Sequence, residues 1–229
     1  MHKMRRGFIT LLFTGLLFGL TGCLELIEDT TLNSDGSGSY KLTVNLSAST
    51  TKVNSLIAMD SIKGTKVPSR SELQQKLQIY IKNLNTKPGI TNTKAELNTE
   101  NWILNLSLDF ESLKSLRNGM IGLSEDINNA PANDKVNSII LEFSKNIYQR
   151  KIGGLIPNDW QEKARKNEDF ALLKEGKCVF IQRFEKEIIN VSSADVRIAK
   201  SKKATMLQLS PLTIVNNPKI IDYSVTVKP

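Results

Sequence analysis

Residues 25–45, ELIEDTTLNSDGSGSYKLTVN, decide how this chain folds. Tyr40, Leu42 and Val44 alternate with Lys41, Thr43 and Asn45, and Leu46 continues the apolar set. A period of two marks a strand with one buried face. The stretch from Glu25 to Leu32 is also rich in strand-forming residues, and the intervening NSDGSG, with its Asp-Gly pair, is a hairpin turn. The chain therefore opens its folded part with an antiparallel hairpin.

Downstream the pattern changes to helix and back again. STTKVNSLIAMDSI is weakly amphipathic, whereas SRSELQQKLQIYIKNLN sets Leu73, Leu77, Tyr80, Ile81 and Leu84 on one face, with Ser69 and Glu72 at capping-box spacing after Pro68. Strands are expected over 90–97 and 102–110, the second carrying Trp102, Leu104, Leu106, Leu108 and Phe110 in one register. ESLKSLRNGMIGL is a helix. SEDINNAPAND, residues 124–134, reads as a polar loop, followed by strands over 136–143 and 147–152. PNDWQEKARKNEDFALLKEG reads as a helix from Asn158 to Gly176, and KCVFIQRFEKEI as a strand. ADVRIAKSKKATMLQLS gives two short strands around a basic turn, PLTIVNNP a helical or turn segment, and KIIDYSVTV a last strand. Strands and helices come in groups rather than in strict alternation, which predicts an α+β fold: a mostly antiparallel sheet with amphipathic helices packed on it. The break at 124–134 is compatible with one continuous domain or with two subdomains.

Upstream of the hairpin the sequence is of another kind. Lys3, Arg5 and Arg6 precede GFITLLFTGLLFGL, and no charged residue occurs from Gly7 to Leu24. A basic start, a short apolar middle and small residues before a cysteine are the layout of a cleaved secretory signal rather than of a membrane-spanning helix. Leu20-Thr21-Gly22-Cys23 resembles the lipobox of bacterial lipoproteins. That resemblance implies that Leu20, Thr21 and Gly22 are read by the signal peptidase and that residues 1–22 are removed. It also implies that Cys23 receives a diacylglyceryl group on sulfur and an acyl chain on its new amino terminus. Each buried methylene contributes about 0.8 kcal/mol and one chain holds only reversibly, so two or three chains make a stable anchor. Residues 23–229 would then form the lipid-anchored domain.

Composition narrows the chemistry. The formal charge is +8, with 31 Lys and Arg against 23 Asp and Glu; three of the basic residues belong to the leader, and the rest are scattered, without the basic stripe that nucleic-acid binding requires. The single histidine, His2, also lies in the leader. A mature chain starting at Cys23 has no imidazole for a triad, a Cys-His pair or a metal site. Cys178, in GKCVFIQRF, then has no disulfide partner and reads as a small buried hydrophobe. SDGSG and IGGLIP match neither dinucleotide nor P-loop spacing. Glu125, Asp126 and Asp134 lack the spacing and central glycine of an EF-hand. The acidic neighbours Glu28-Asp29, Glu125-Asp126 and Glu168-Asp169 point apart or lie in polar stretches. The lysines at 200, 202 and 203 read as a soluble hairpin tip, with contact to lipid headgroups as the alternative.

Residues 30–46 and 180–212 together resemble small envelope lipoproteins with an LppM-type domain, in which a strand bearing phenylalanines leads to a Val-Ser turn, an Ala-Asp step and a further hairpin. The resemblance covers about a quarter of the chain and implies a compact α+β domain without assigned chemistry. The expectation is a non-catalytic binding or scaffold module held at a membrane by Cys23, with an unidentified envelope protein or lipid as partner and with no cofactor, metal or nucleic acid. A carrier or sensor of an apolar ligand and an enzyme working without histidine are the alternatives. Leu24 stands where an aspartate would favour retention in the inner membrane, which points to the outer membrane, facing the periplasm.

Overall fold

The computed structural model describes residues 24–62, 65–128, 131–132, 134–156, 158–166 and 168–229; the leader and the lipobox through Cys23 lie outside them. The chain begins with β1 (Glu25–Leu32), β2 (Gly38–Asn45), α1 (Thr50–Ile57), the two-residue strands β3 (Ser61–Ile62) and β4 (Thr65–Lys66), and α2 (Arg70–Asn85). It continues with β5 (Ile90–Asn98), β6 (Ile103–Phe110), α3 (Leu113–Asn128), α4 (Asp134–Asn137), β7 (Ile140–Ser144), β8 (Ile147–Lys151) and α5 (Asn158–Arg165). The last part holds β9 (Lys177–Phe184), β10 (Ile188–Val191), β11 (Arg197–Ile198), β12 (Ala204–Leu209), α6 (Pro211–Asn216) and β13 (Tyr223–Val227). The fold is α+β.

The expected hairpin is present, with β1 and β2 paired from Glu25↔Asn45 to Leu32↔Gly38. Its turn closes through Asn33 N–H to the Ser37 carbonyl at 2.8 Å, and Gly36 takes φ +89°, a conformation open to glycine at no steric cost. This hairpin forms the middle of a seven-stranded sheet, ordered β11-β12-β9-β1-β2-β6-β5. All its pairings are antiparallel except β1 with β9, which run parallel in register Glu25↔Lys177 to Leu32↔Phe184. A second, four-stranded antiparallel sheet is ordered β10-β13-β8-β7.

The main core lies between the sheets. Leu32, Tyr40, Phe180, Phe184 and Leu207 from the larger sheet pack in one buried cluster with Leu141, Tyr148, Tyr223 and Val225 from the smaller. Over the β5–β6 side the larger sheet is covered by α2 and α3, which also pack on each other. Alternation leaves the opposite face of the larger sheet carrying Lys41, Thr43, Asn105, Asp29 and Arg183, as expected for an antiparallel sheet with one solvated side.

Three expectations are corrected. The stretch 124–134 is not a loop throughout: α3 runs on to Asn128, and α4 starts at Asp134. Val136 consequently sits in α4, and the following strand begins at Ile140. The segment from Asn158 to Gly176 is broken, α5 ending at Arg165 and a 3-10 turn spanning Glu168–Glu175. The Ser69–Glu72 capping box of α2 forms as expected, yet on its apolar face only Leu84 is buried; Leu73, Leu77, Tyr80 and Ile81 are half-buried, and neighbouring Ile79 is 57% exposed. The reason is position: α2 packs along β5, the edge strand, and has less sheet to cover it.

Candidate functional site

The first site is the place where the described chain emerges, one residue after the lipobox. Leu24 is only 8% exposed and packs in a satellite cluster with Leu46, Val53 and Trp102. Its carbonyl accepts the Lys177 N–H at 2.7 Å. Gly176 leaves room for this contact, since a Cβ there would stand 3.0 Å from the Leu24 oxygen and 2.9 Å from Pro211 Cγ. Helix α1 closes over the cluster through Val53, which is fully buried.

Trp102 completes that closure in an unusual backbone state. Its φ is +56°, a left-handed conformation that costs a bulky residue of the order of 1–3 kcal/mol. In return the indole Nε1 donates to Asn54 Oδ1 at 2.8 Å, and Arg70 Nη2 donates to the same oxygen at 2.8 Å. The Arg70 guanidinium lies 5.5 Å from the Trp102 ring centroid, and the Trp102 carbonyl accepts the Leu46 N–H at 3.0 Å. The fold thus grips Leu24 by its side chain and its carbonyl together. Leu24, the first described residue, is already core.

The second feature is a polar group sealed between the two sheets. Glu28 of β1 is 5% exposed and Arg150 of β8 1% exposed. Arg150 Nη1 donates to Glu28 Oε1 at 2.5 Å and Nη2 to Oε2 at 3.3 Å, while the guanidinium carbon lies 4.8 Å from the Phe180 ring centroid. The Tyr148 hydroxyl donates to Gln182 Oε1 at 3.0 Å, and Gln182 Nε2 reaches Glu28 Oε1 at 3.5 Å. Arg150 Nε has no hydrogen-bond partner. Burial works against the Arg150 charge, but Glu28, Tyr148 and Tyr223 outweigh it and push the guanidinium pKa up. Burial raises the phenols of Tyr40, Tyr148 and Tyr223, with Glu28 adding to the effect in each. Arg150 and Glu28 are spent on each other and reach solvent only if the sheets part. This geometry joins the two sheets through one buried charge pair.

The sequence reading set Glu28 aside, yet a signal for it existed. Glu28 lies in the inward register of Leu26, Thr30 and Leu32; Gln182 lies between Phe180 and Phe184; Arg150 follows Tyr148. Each is a strongly polar residue at an apolar position of a period-two pattern.

The remaining candidates are dispersed. Asp29, beside Glu28, faces the other side of the sheet and pairs with Arg183. Glu125 accepts the Ala132 N–H and Asp126 accepts from Asn83 Nδ2, so these acids serve different neighbours. No group of three or more His, Cys, Asp or Glu suited to a metal occurs among the described residues, and the Glu168 and Asp169 side chains are not among those described. Cys178 is a buried free thiol whose pKa burial pushes up to about 12. Lys200, Lys202 and Lys203 are exposed at the β11–β12 turn. A recess of about 270 Å³ opens at the β11–β12 edge, lined by Asp195, Arg197, Met206, Gln208 and Leu209. It lies at a sheet edge rather than between sheet and helices. No described helix is long and apolar enough to cross a membrane.

Comparison with known proteins adds a structural likeness. The structure is similar to the NMR structure of the folded domain of the Mycobacterium tuberculosis LppM protein, with a TM-score of 0.40 and 10% identity, covering 91% of this chain and 93% of that one. No family model matches the sequence, and no curated protein matches it.

Proposed function

We propose that the protein is a bacterial envelope lipoprotein, anchored through Cys23, whose α+β domain is a non-catalytic binding or scaffold module facing the periplasm from the outer membrane. The observation that carries the reading is the sequence Leu20-Thr21-Gly22-Cys23 at the end of an uncharged run. Leu24 is already built into the core, which suits a domain that starts directly after Cys23. Glu28, a buried carboxylate, is committed to Arg150 and not open to a substrate, which suits a binding role better than catalysis at that group.

Intact mass of protein purified from membranes tests the anchor. A chain beginning at residue 23 and heavier by a diacylglyceryl and an acyl group is expected, and Cys23→Ala should remain uncleaved and unacylated. A native chain that retains Met1, or weighs no more than its amino acids, ends the proposal. Cross-linking in intact envelopes with analysis of proteins and co-purifying lipids tests the module: a stoichiometric protein partner supports it, and a stoichiometric bound lipid replaces it with the carrier reading.

A further inference from the structure

The seven-stranded sheet has two unlike ends, and the strand directions assign every turn to one of them. Glu25, Asn45, Ile103, Asn98, Lys177 and Leu209 meet at the end where Leu24 enters. Leu32, Gly38, Phe110, Phe184 and Ala204 meet at the other, seven residue steps along β1, or about 23 Å away. The entry end is capped by residues 46–59, LSASTTKVNSLIAM, in which Lys52 is the one charged residue, and it also carries exposed Glu100 in the β5–β6 turn and Lys174, Glu175 and Lys177 around the start of β9. Ser47, Ala48, Thr51, Ser55 and Ala58 are exposed there, and Met59 is 48% exposed. At the far end the turns 185–187 and 199–203 hold Glu185, Lys186, Glu187, Lys200, Lys202 and Lys203, six charges in eight residues.

From the place at which Leu24 is held we infer that the α1-capped end of the larger sheet rests directly on the headgroup layer of the membrane that holds the anchor, with the 185–187 and 199–203 turns pointing away from it. The inference rests on acylation at Cys23. Consecutive Cα atoms lie about 3.8 Å apart, so an acylated Cys23 at the bilayer surface keeps Leu24 within one peptide unit of it. Leu24 cannot pay out chain, because its side chain is in the α1 cluster and its carbonyl is bonded to Lys177. The surface beside that point must therefore meet the headgroups, and it combines the small, hydroxyl-rich α1 cap and exposed Met59 with the charges of Lys52, Glu100, Glu175 and Lys177. This geometry also removes the lysines of the 199–203 turn from the bilayer that carries the anchor, leaving them free for a soluble or distant partner.

The test uses the acylated protein purified from membranes and reconstituted in phosphatidylethanolamine–phosphatidylglycerol vesicles carrying a nitroxide-headgroup phospholipid. Ser55→Cys on α1 and Ser201→Cys on the far turn each carry an environment-sensitive fluorophore; both positions are exposed, and Cys178 is buried. A severalfold loss of fluorescence at position 55 with little change at 201 is the expected result. Equal quenching at the two positions, or stronger quenching at 201, overturns the orientation even when the mass confirms the acyl chains. A preparation whose mass lacks them overturns the anchor and, with it, this orientation.

Discussion

Glu28 and Asp29 are neighbours in β1, each paired with an arginine, and they lie in opposite environments. Glu28 points between the sheets, where Arg150 meets it with both charges removed from water. Asp29 points to the open face, where Arg183 Nε donates to Oδ1 at 2.9 Å and Nη2 to Oδ2 at 2.8 Å, with half of the arginine side chain exposed. By distance and fork geometry the outer pair is at least as well made as the inner one. The difference is the medium. In water the outer pair competes with hydration and salt and is worth roughly 0–1 kcal/mol. The inner pair costs much desolvation to assemble, and removing one partner strands the other in the core.

The comparison breaks most easily at Arg150. Arg150→Ala leaves Glu28 buried and unpaired and should lower unfolding stability in urea by about 3–5 kcal/mol. A loss below that of an ordinary surface variant would mean that the core admits water at this point. Replacing both partners, Glu28→Leu with Arg150→Met, should recover most of that loss, because well-packed apolar groups need no partner. If the double variant is as unstable as the single one, the pair contributes more than its own desolvation and the sheets depend on it for register.

Smaller effects sharpen the contrast. Tyr148→Phe removes the bond to Gln182 and should cost about 1 kcal/mol, again on the inner face. Asp29→Ala, on the outer face, should cost no more than about 1 kcal/mol and less at high salt. An Asp29→Ala loss equal to that of Arg150→Ala would abolish the distinction between the faces.

A third pair extends the exposed class and adds a pH test. Glu72 bonds to Lys66 Nζ at 2.8 Å and to the Ser69 N–H at 2.7 Å in the capping box. The Lys66 bond, followed by those from Ser69, lowers its pKa from 4.5 to about 2. A carboxyl depressed on folding gives stability that is complete above its ordinary value and is lost as pH falls toward the lowered one, here between about 4.5 and 2. A carboxyl titration followed by NMR should show Glu72 protonating late, and Ser69→Ala should move its midpoint upward. A Glu72 midpoint at 4.5 in the unaltered protein would show that the exposed pair is not formed in solution.

How much of this was readable beforehand differs by element. β1 and β2 were read from alternation and turn chemistry because both are local: Asp35-Gly36 sits where the chain reverses, and Tyr40 lies in the buried register. The α2 capping box was local too. The extension of α3 through Glu125 and Asp126 was missed because polar residues on a helix that is partly solvated resemble a loop; Asn83 and Ala132, neither of them in α3, hold those acids in place. The chemistry proposed for Cys23 rests on the resemblance of residues 20–23 to a lipobox, while the grip on Leu24 was invisible, since it depends on Val53, Trp102 and Lys177.

By itself the sequence determined the opening hairpin, the capped start of α2 and most of the strands with their apolar faces, because period, caps and turn residues act over a few positions. Tertiary structure alone decided that β1 lies parallel to β9, that Glu28 finds Arg150 across 122 positions, and that Leu24 is held by the α1 cluster and Lys177. An alternating pattern specifies that a face will be buried but not what buries it. That choice is made by the pairing of distant strands, and the electrostatics of every inward-facing charge follows from it.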